Sequence, residues 1–455
     1  MKGKAKTFQK LYKWHRWLGL FLSLHLLILL ATGSILVFRS ELEKTFYPAP
    51  SHHIETDRKR PALSFQALLD QALEKHPNDR PLALFIDEEN SELVQIRLGI
   101  DQSKQFRGAR RITSDRFGQE LASNSPGEKQ STLLDQVLIL HREFFLGSFG
   151  KFYVALIGCL FILSLVTGLY IYGPLMKKLS FAWIRGPSLP RWSDIHKLIG
   201  VLSFAWCLLI AVSGSILAVS GTLLKIYQYT ELKQLNQEFP DPGPAQSIIS
   251  LDEALKMASD ASPDLAFSFV SFPGNEFSTK RHFLFFMKGV TPLTEKLRTL
   301  VLVDALTGKV IEVRELPWYL QAALLSEPLH FGDYGGMSLK IIWAVLGLLS
   351  LTLPVSGLWI VWLKRRKKLA EGGLPRQLRK PRFGRAWRTK AYFFPLGIGI
   401  SFTIGSFLAL YSDQYGDLLA LFLFIIPLLL SVGIIFSDRY HQRKKSTVIN
   451  PEVHQ

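Results

Sequence analysis

Six stretches of about 20 predominantly apolar residues, each long enough to cross a hydrocarbon layer of roughly 30 Å, punctuate the chain at 18–38, 152–172, 198–219, 341–362, 393–410 and 418–436. They are too long for the ~10-residue alternating strands of a barrel, and a helix satisfies its own backbone in lipid. The pattern predicts a polytopic α-helical membrane protein. Two long segments separate the first four spans in pairs. Each opens on an amphipathic stretch, Ser64-Phe65-Gln66-Ala67-Leu68-Leu69 in one and Ser250 to Ala258 in the other. Each then alternates like strands, at Leu93 to Arg97 and at Arg281 to Phe286, and turns through Asp115 to Gly118 or Asp304 to Gly308. Two small α+β modules are expected, one per segment.

The spans repeat. His15-Arg16-Trp17-Leu18-Gly19 opens a run closing at Thr32-Gly33-Ser34-Ile35-Leu36, and His196-Lys197-Leu198-Ile199-Gly200 opens one closing, at the same spacing, at Ser213-Gly214-Ser215-Ile216-Leu217. Leu140-His141 precedes a run closing at Thr167-Gly168, and Leu329-His330 precedes one closing at Ser356-Gly357. The chain therefore divides into two parallel helix–module–helix halves plus a C-terminal helical hairpin without histidine. The expected boundaries are 1–38 for the N-terminus and first span, 39–149 for module 1, 150–174 for the second span and 175–197 for a cytoplasmic loop. Beyond them come 198–220 for the third span, 221–338 for module 2, 339–363 for the fourth span, 364–390 for a basic loop, 391–437 for spans five and six, and 438–455 for the tail.

Charge orients this arrangement. The net charge of +17 is concentrated in 1–16, 177–197, 364–390 and after Arg439, so the positive-inside rule puts both termini in the cytoplasm and the modules on the far side of the membrane. Each basic run abuts a span, which argues against nucleic acid as a partner. The first span is too long for a signal-peptide core and is expected to be retained. Cys159 and Cys207 both fall within spans, leaving no disulfide scaffold and no thiolate cluster.

Histidine remains as the candidate chemistry. Gly33 follows His15 by five whole turns, so His15, Gly19 and Gly33 share roughly one helix face, as do His196, Gly200 and Gly214. An imidazole one turn from a glycine suits a flat macrocycle lying against a helix. By depth, His15 pairs with His196 at the inner level and His141 with His330 at the outer, which suggests a metal or haem at each level, between the halves. Alternatives stand beside this. The Thr/Ser-Gly pairs serve helix packing equally well, and a histidine at a helix end also caps carbonyls. His25, deep in the first span, is either a further ligand or relay, or a hydrogen-bonded core residue. His52, His53, His76, His282, His441 and His454 read as solvated. No nucleotide-binding glycine loop and no Cys-x-x-Cys-His occurs, which leaves non-covalent b-type haem. Arg142, Trp318, Tyr319, Phe331 and Tyr334 are candidates for a substrate cleft, or for an interfacial aromatic belt.

The His15-to-Gly19 and Thr32-Gly33 motifs, Leu140-His141, Asp194-Ile195-His196 with Gly200, Leu329-His330-Phe331-Gly332, Ser250-Leu251-Asp252-Glu253-Ala254 and Val303-Asp304 with Thr307-Gly308 together resemble the PepSY-associated transmembrane family. The resemblance spans about Lys13 to Arg366. It implies an inner-membrane ferric-siderophore reductase that binds two haems between the duplicated helices through His15, His141, His196 and His330. It also implies a cytoplasmic or quinol electron donor, lipid contact and a ferric chelate as substrate. The last two spans depart from the family's four-helix core. PepSY modules also occur in protease propeptides, so an envelope-binding or peptidase-regulating protein is the alternative, with a permease component third.

Overall fold

A computed structural model describes residues 2–47, 61–87, 90–124, 132–176, 184, 186, 188–239, 248–291 and 294–370. Spans five and six, the tail with His441 and His454, and His52 and His53 lie outside the described residues. Along the chain run α1 (Lys2–Leu36), α2 (Arg39–Phe46), α3 (Phe65–Lys75), β1 (Arg80–Ile86), β2 (Leu93–Gly99), β3 (Arg110–Asp115), β4 (Glu120–Asn124), α4 (Leu133–Glu143), α5 (Gly147–Met176), α6 (Ser188–Leu202) and α7 (Phe204–Tyr227). There follow α8 (Lys233–Glu238), α9 (Leu251–Asp260), β5 (Ala266–Ser271), β6 (His282–Lys288), β7 (Arg298–Asp304), β8 (Val310–Glu315), α10 (Trp318–Phe331), α11 (Gly336–Ser350) and α12 (Thr352–Ala370). They form two compact units, one from Met1–Arg39, Leu133–Ala218 and Leu329 onward, the other from Ser40–Thr132 and Val219–Pro328.

Among the described residues, four helical stretches are long and apolar enough to cross a membrane: Lys6–Leu36, Gly147–Tyr172, Phe204–Glu238 and Asp333–Lys367. They coincide with the first four expected spans, and the protein is a helical membrane protein. Inside the bundle Leu22, Phe144, Ile157 and Cys207 are buried, while Phe152, Leu156, Val166, Ile341, Val345 and Leu348 point outward and exposed. A water-soluble bundle would cover such side chains, whereas lipid solvates them. The third span has a one-residue break at Ser203, whose hydroxyl donates to the Ile199 carbonyl at 2.8 Å. The fourth breaks at Leu351, just before Pro354 enters the first turn of α12, where its missing N–H costs least. Between α4 and α5 the chain turns through Phe144 and Phe145, with φ of 49° and 61°. Bulky residues avoid this left-handed region. The fully buried Phe144 ring, against Tyr153 at 6.1 Å and His25 at 6.0 Å, supplies the packing that holds it there.

The second unit contains a single eight-stranded sheet, ordered β4-β3-β2-β1-β5-β6-β7-β8. The expectation of one small sheet per module is corrected here: the two four-stranded meanders join through antiparallel β1 and β5, with Ala83 opposite Ser271 and Phe85 opposite Phe269. The physical reason lies in the edges. A free β1 or β5 would expose an unpaired, apolar strand, and pairing them removes both liabilities at once. Helices α3 and α9 cover one face, packing Phe65, Leu68, Leu251 and Ala254 onto Leu84, Ile96, Val270, Phe285 and Val301. The two helix N-termini also exchange bonds. Ser64 and Ser250 cap their own helices, while Asp252 accepts the N–H groups of Phe65 at 3.0 Å and Gln66 at 3.1 Å, and Gln66 Oε1 accepts that of Leu251 at 2.7 Å.

His282, expected to be solvated, is fully buried. It shares a sheet face with Leu284 and Phe286, its Nδ1 lies 2.8 Å from Thr279 Oγ1, and burial pushes its pKa below the ordinary value. Burial works to raise the neighbouring Asp304, but the N–H groups of Leu306 and Thr307 and the Arg281 guanidinium hold it below the usual carboxylate range. Its contribution to stability is thus complete above about pH 4 and is lost as the pH falls through the lower folded value. Asp252→Ala should destabilise the sheet unit by about 1–3 kcal/mol, because two helix N–H groups lose a charged acceptor. Thermal denaturation of the detergent-solubilised chain, read by proteolysis between the spans, would show it as a lowered midpoint.

Candidate functional site

Within the bundle the four repeat histidines form two pairs. The rings of His15 and His196 have centroids 6.4 Å apart, and those of His141 and His330 are 6.2 Å apart. Each ring leans on a glycine of another helix. A Cβ on Gly168 would lie 3.0 Å from His15 Cε1, one on Gly33 3.1 Å from His141, one on Gly214 2.7 Å from His330 and one on Gly357 3.7 Å from His196. These glycines therefore admit imidazoles, a use the sequence reading did not separate from helix packing. The glycines one turn after the histidines are different, for a Cβ on Gly19 meets nothing within 4 Å and one on Gly200 only Leu353, at 3.7 Å.

The residue before each packing glycine decides the chemistry of its ring. His141 Nδ1 lies 2.9 Å from Thr32 Oγ1, His330 Nδ1 3.1 Å from Ser213 Oγ, and His196 Nδ1 2.8 Å from Ser356 Oγ. His15 Nδ1 lies 3.0 Å from the Ser164 carbonyl and 3.3 Å from Thr167 Oγ1. A hydroxyl carries one proton, and here it is already spent. Thr32 donates to the Ile28 carbonyl at 2.7 Å, Ser213 to Leu209 at 2.7 Å, Ser356 to Leu353 at 3.1 Å and Thr167 to Leu163 at 2.8 Å. Each hydroxyl must therefore accept, and the Ser164 carbonyl can only accept. These contacts fit the Nδ1–H tautomer, which leaves Nε2 as the nitrogen with a lone pair, the state in which imidazole binds a metal.

The spacing suits a metal. With a metal–imidazole bond of about 2 Å and about 1.1 Å from nitrogen to ring centre, two axial imidazoles on one ion have centroids roughly 6.2 Å apart. No group of three or more His, Cys, Asp or Glu placed to hold a metal ion occurs among the described residues. A pair of imidazoles without a third protein ligand among the described residues would suit a metal held in a macrocycle that supplies its other donors.

His25 differs. It is fully buried, its Nδ1 donates to the Phe21 carbonyl at 3.1 Å, and its Nε2 accepts from the Tyr153 hydroxyl at 2.6 Å. Both nitrogens are used, which describes a hydrogen-bonded core histidine. Of the cleft candidates, Arg142, Phe331 and Tyr334 are exposed in the bundle unit, with Tyr334 edge-on to Trp343 at 6.3 Å. Trp318 and Tyr319 belong to the sheet unit, the first exposed and the second packed under β7 with Leu316 and Leu320. Glu143, which the sequence reading passed over, is buried two residues after His141, with Lys151 Nζ at 3.6 Å and Arg142 Nη2 at 3.4 Å. Its place after His141-Arg142 was the available signal.

Residues 12–365 match the family profile described as the PepSY-associated TM region. An uncharacterized protein of Pseudomonas aeruginosa is 27% identical over 255 residues, 51% of this chain and 64% of that protein, so the match spans less than two thirds of the relative's length.

The glycine contacts predict an asymmetry. Gly214→Ala should lower the thermal midpoint of the solubilised protein by forcing His330 aside, whereas Gly357→Ala, with an ordinary contact distance, should leave it nearly unchanged. Tyr153→Phe should cost about 1–3 kcal/mol by leaving His25 Nε2 buried and unpaired.

Proposed function

The chain belongs to the PepSY-associated transmembrane family, and from that premise and the two histidine pairs we propose that it is a haem b-containing reductase of the bacterial inner membrane. In this reading it passes electrons outward to ferric iron held by a siderophore or similar chelate, for iron release and uptake. The observation that supports it is the pairing: the four repeat histidines lie in two couples whose ring centroids are 6.4 and 6.2 Å apart. His15 and His196 would hold a haem at the cytoplasmic level, and His141 and His330 a second one at the outer level. Bound haem supplies reversible one-electron chemistry.

The chain's own residues do the rest. Thr32, Thr167, Ser213 and Ser356 would accept the Nδ1 protons and orient the rings, and Gly33, Gly168 and Gly214 leave room for them. The apolar core around Leu22, Ile157 and Phe161 keeps water from the bundle. Electrons enter from a cytoplasmic or quinol donor, and one electron per iron converts a hard ferric ion into a ferrous ion that oxygen chelators hold less well. The substrate would meet Arg142, Phe331 and Tyr334 on the bundle. In this reading both termini lie in the cytoplasm, with six spans in all. Neither a peptidase regulator nor a permease has a need for four paired imidazoles.

Absorbance spectroscopy tests the reading. The purified protein should show a reduced b-type spectrum, and His15→Ala and His196→Ala should remove one and the same component, His141→Ala and His330→Ala the other. A colourless protein after expression with ample haem would overturn it. Arg142→Ala and Tyr334→Ala should slow ferric-chelate reduction with both spectral components intact.

A further inference from the structure

The face of the sheet opposite α3 and α9 is divided. Over β6 and β7 it is apolar and covered: Leu284, Leu300 and Leu302 pack under Tyr227, Leu232, Leu235, Leu316 and Leu320. Over β2 and β3 it is cationic. Arg97 and Arg111 stand directly opposite each other in the register, at the positions that Phe286 and Leu300 take in the second meander, counted outward from the β1–β5 pair. Like charges in register repel, and a sheet face meant to be covered by a helix has no use for them. The helix at the equivalent place in the first half, α2, has no buried residue.

Neither arginine has a carboxylate partner among the described residues, whereas Arg110 pairs with Asp79 at 2.8 Å, Arg281 with Asp304 at 2.6 Å and Arg314 with Glu312 at 2.8 Å. Arg97 is half-buried, lies 5.9 Å from the centre of the Phe85 ring, and burial together with Arg111 brings its pKa down to about 10. Phe85 begins a ladder across the strands, stacked on Phe269 at 4.9 Å, which is stacked on Phe286 at 4.1 Å. Rings stacked this way turn their edges, the positive rim of the π quadrupole, off the sheet. Two unpaired guanidiniums beside a row of aromatic edges make a surface short of negative charge and rich in aromatic contact.

We infer that this face, with Arg97 and Arg111 at its centre and Phe85 and Phe269 beside them, is a capture site for an anionic, aryl-bearing metal chelate of the tris-catecholate type. Guanidinium forks suit the chelate's oxygen atoms, and the aryl arms meet the phenylalanine edges. A cationic or neutral trishydroxamate lacks both features. The inference rests on the reductase reading only for the natural metal being iron, since binding at the face needs no electron transfer.

Gallium(III) complexes separate the two, because they share the ferric ion's coordination and are not reduced under the same conditions. Equilibrium dialysis of the full chain in detergent should show gallium tris-catecholate binding that weakens about tenfold or more in Arg97→Gln and in Arg111→Gln, with gallium trishydroxamate binding weakly to all three. Unchanged thermal midpoints and absorbance spectra in the variants would show that they fold. Equal binding of the tris-catecholate by native and variant proteins overturns the site, as does its displacement by an equal concentration of inorganic phosphate. A colourless protein that still binds the gallium complex through Arg97 upholds the site and ends the reductase reading. A haem-loaded ferric reductase without arginine-dependent binding does the reverse.

Discussion

The bundle depends on a hydrogen bond whose direction was decided elsewhere. A serine or threonine hydroxyl inside a transmembrane helix ordinarily donates to the carbonyl one turn back, and Thr32, Thr167, Ser213 and Ser356 all do so. That common habit turns each hydroxyl into an acceptor and thereby sets the proton on the histidine facing it. At Gly33, Gly168 and Gly214 the glycine follows from the same bond, since a Cβ there would crowd the ring, whereas at Gly357 the contact is an ordinary one. The helix pairs follow too: α1 holds the ring of α4 and α5 that of α1, while α7 holds the ring of α10 and α12 that of α6. Packing, tautomer and ring direction are one constraint seen at three scales.

The sheet unit reaches its order by another route. Two meanders that would each leave an apolar edge share it instead, and a carboxylate from one helix start seals the other. The same meander then carries different loads on its second face. In one half leucines and phenylalanines are roofed by helices, and in the other arginines face each other without a carboxylate partner among the described residues. Symmetry of backbone with asymmetry of side chain is how a repeated scaffold acquires two uses.

Much of this was legible in the sequence, and the exceptions have causes. The four described spans could be placed because roughly 20 apolar residues in a row have few other fates. The histidine pairs could be matched because equal spacing in two parallel copies puts equal residues at equal depth. The role of the small residues could not be read, since glycine after serine serves helix contact and ring contact alike until the partner's position is known. The β1–β5 pairing was hidden because an edge chooses its neighbour by tertiary proximity, across more than 180 residues of chain. His282 carried a readable signal, the alternation with Leu284 and Phe286, which its polar character masked. His25 fell between: its depth was clear, and only Tyr153, from another helix, shows how both of its nitrogens are occupied.

The shared sheet also sets an order on biosynthesis. When β1 leaves the ribosome its partner β5 does not yet exist, and two further spans must be made and inserted before Ala266 to Ser271 appear. At common translation rates that interval is on the order of ten seconds or more. Throughout it the nascent first meander carries an open apolar strand, Leu82, Ala83 and Leu84, while its own helix start lacks the Asp252 acceptor. Such an edge invites pairing with any other extended chain nearby. The protein thus has a window of vulnerability built into its gene order, and during that window its safety rests with whatever folding helpers attend the first segment rather than with the finished fold.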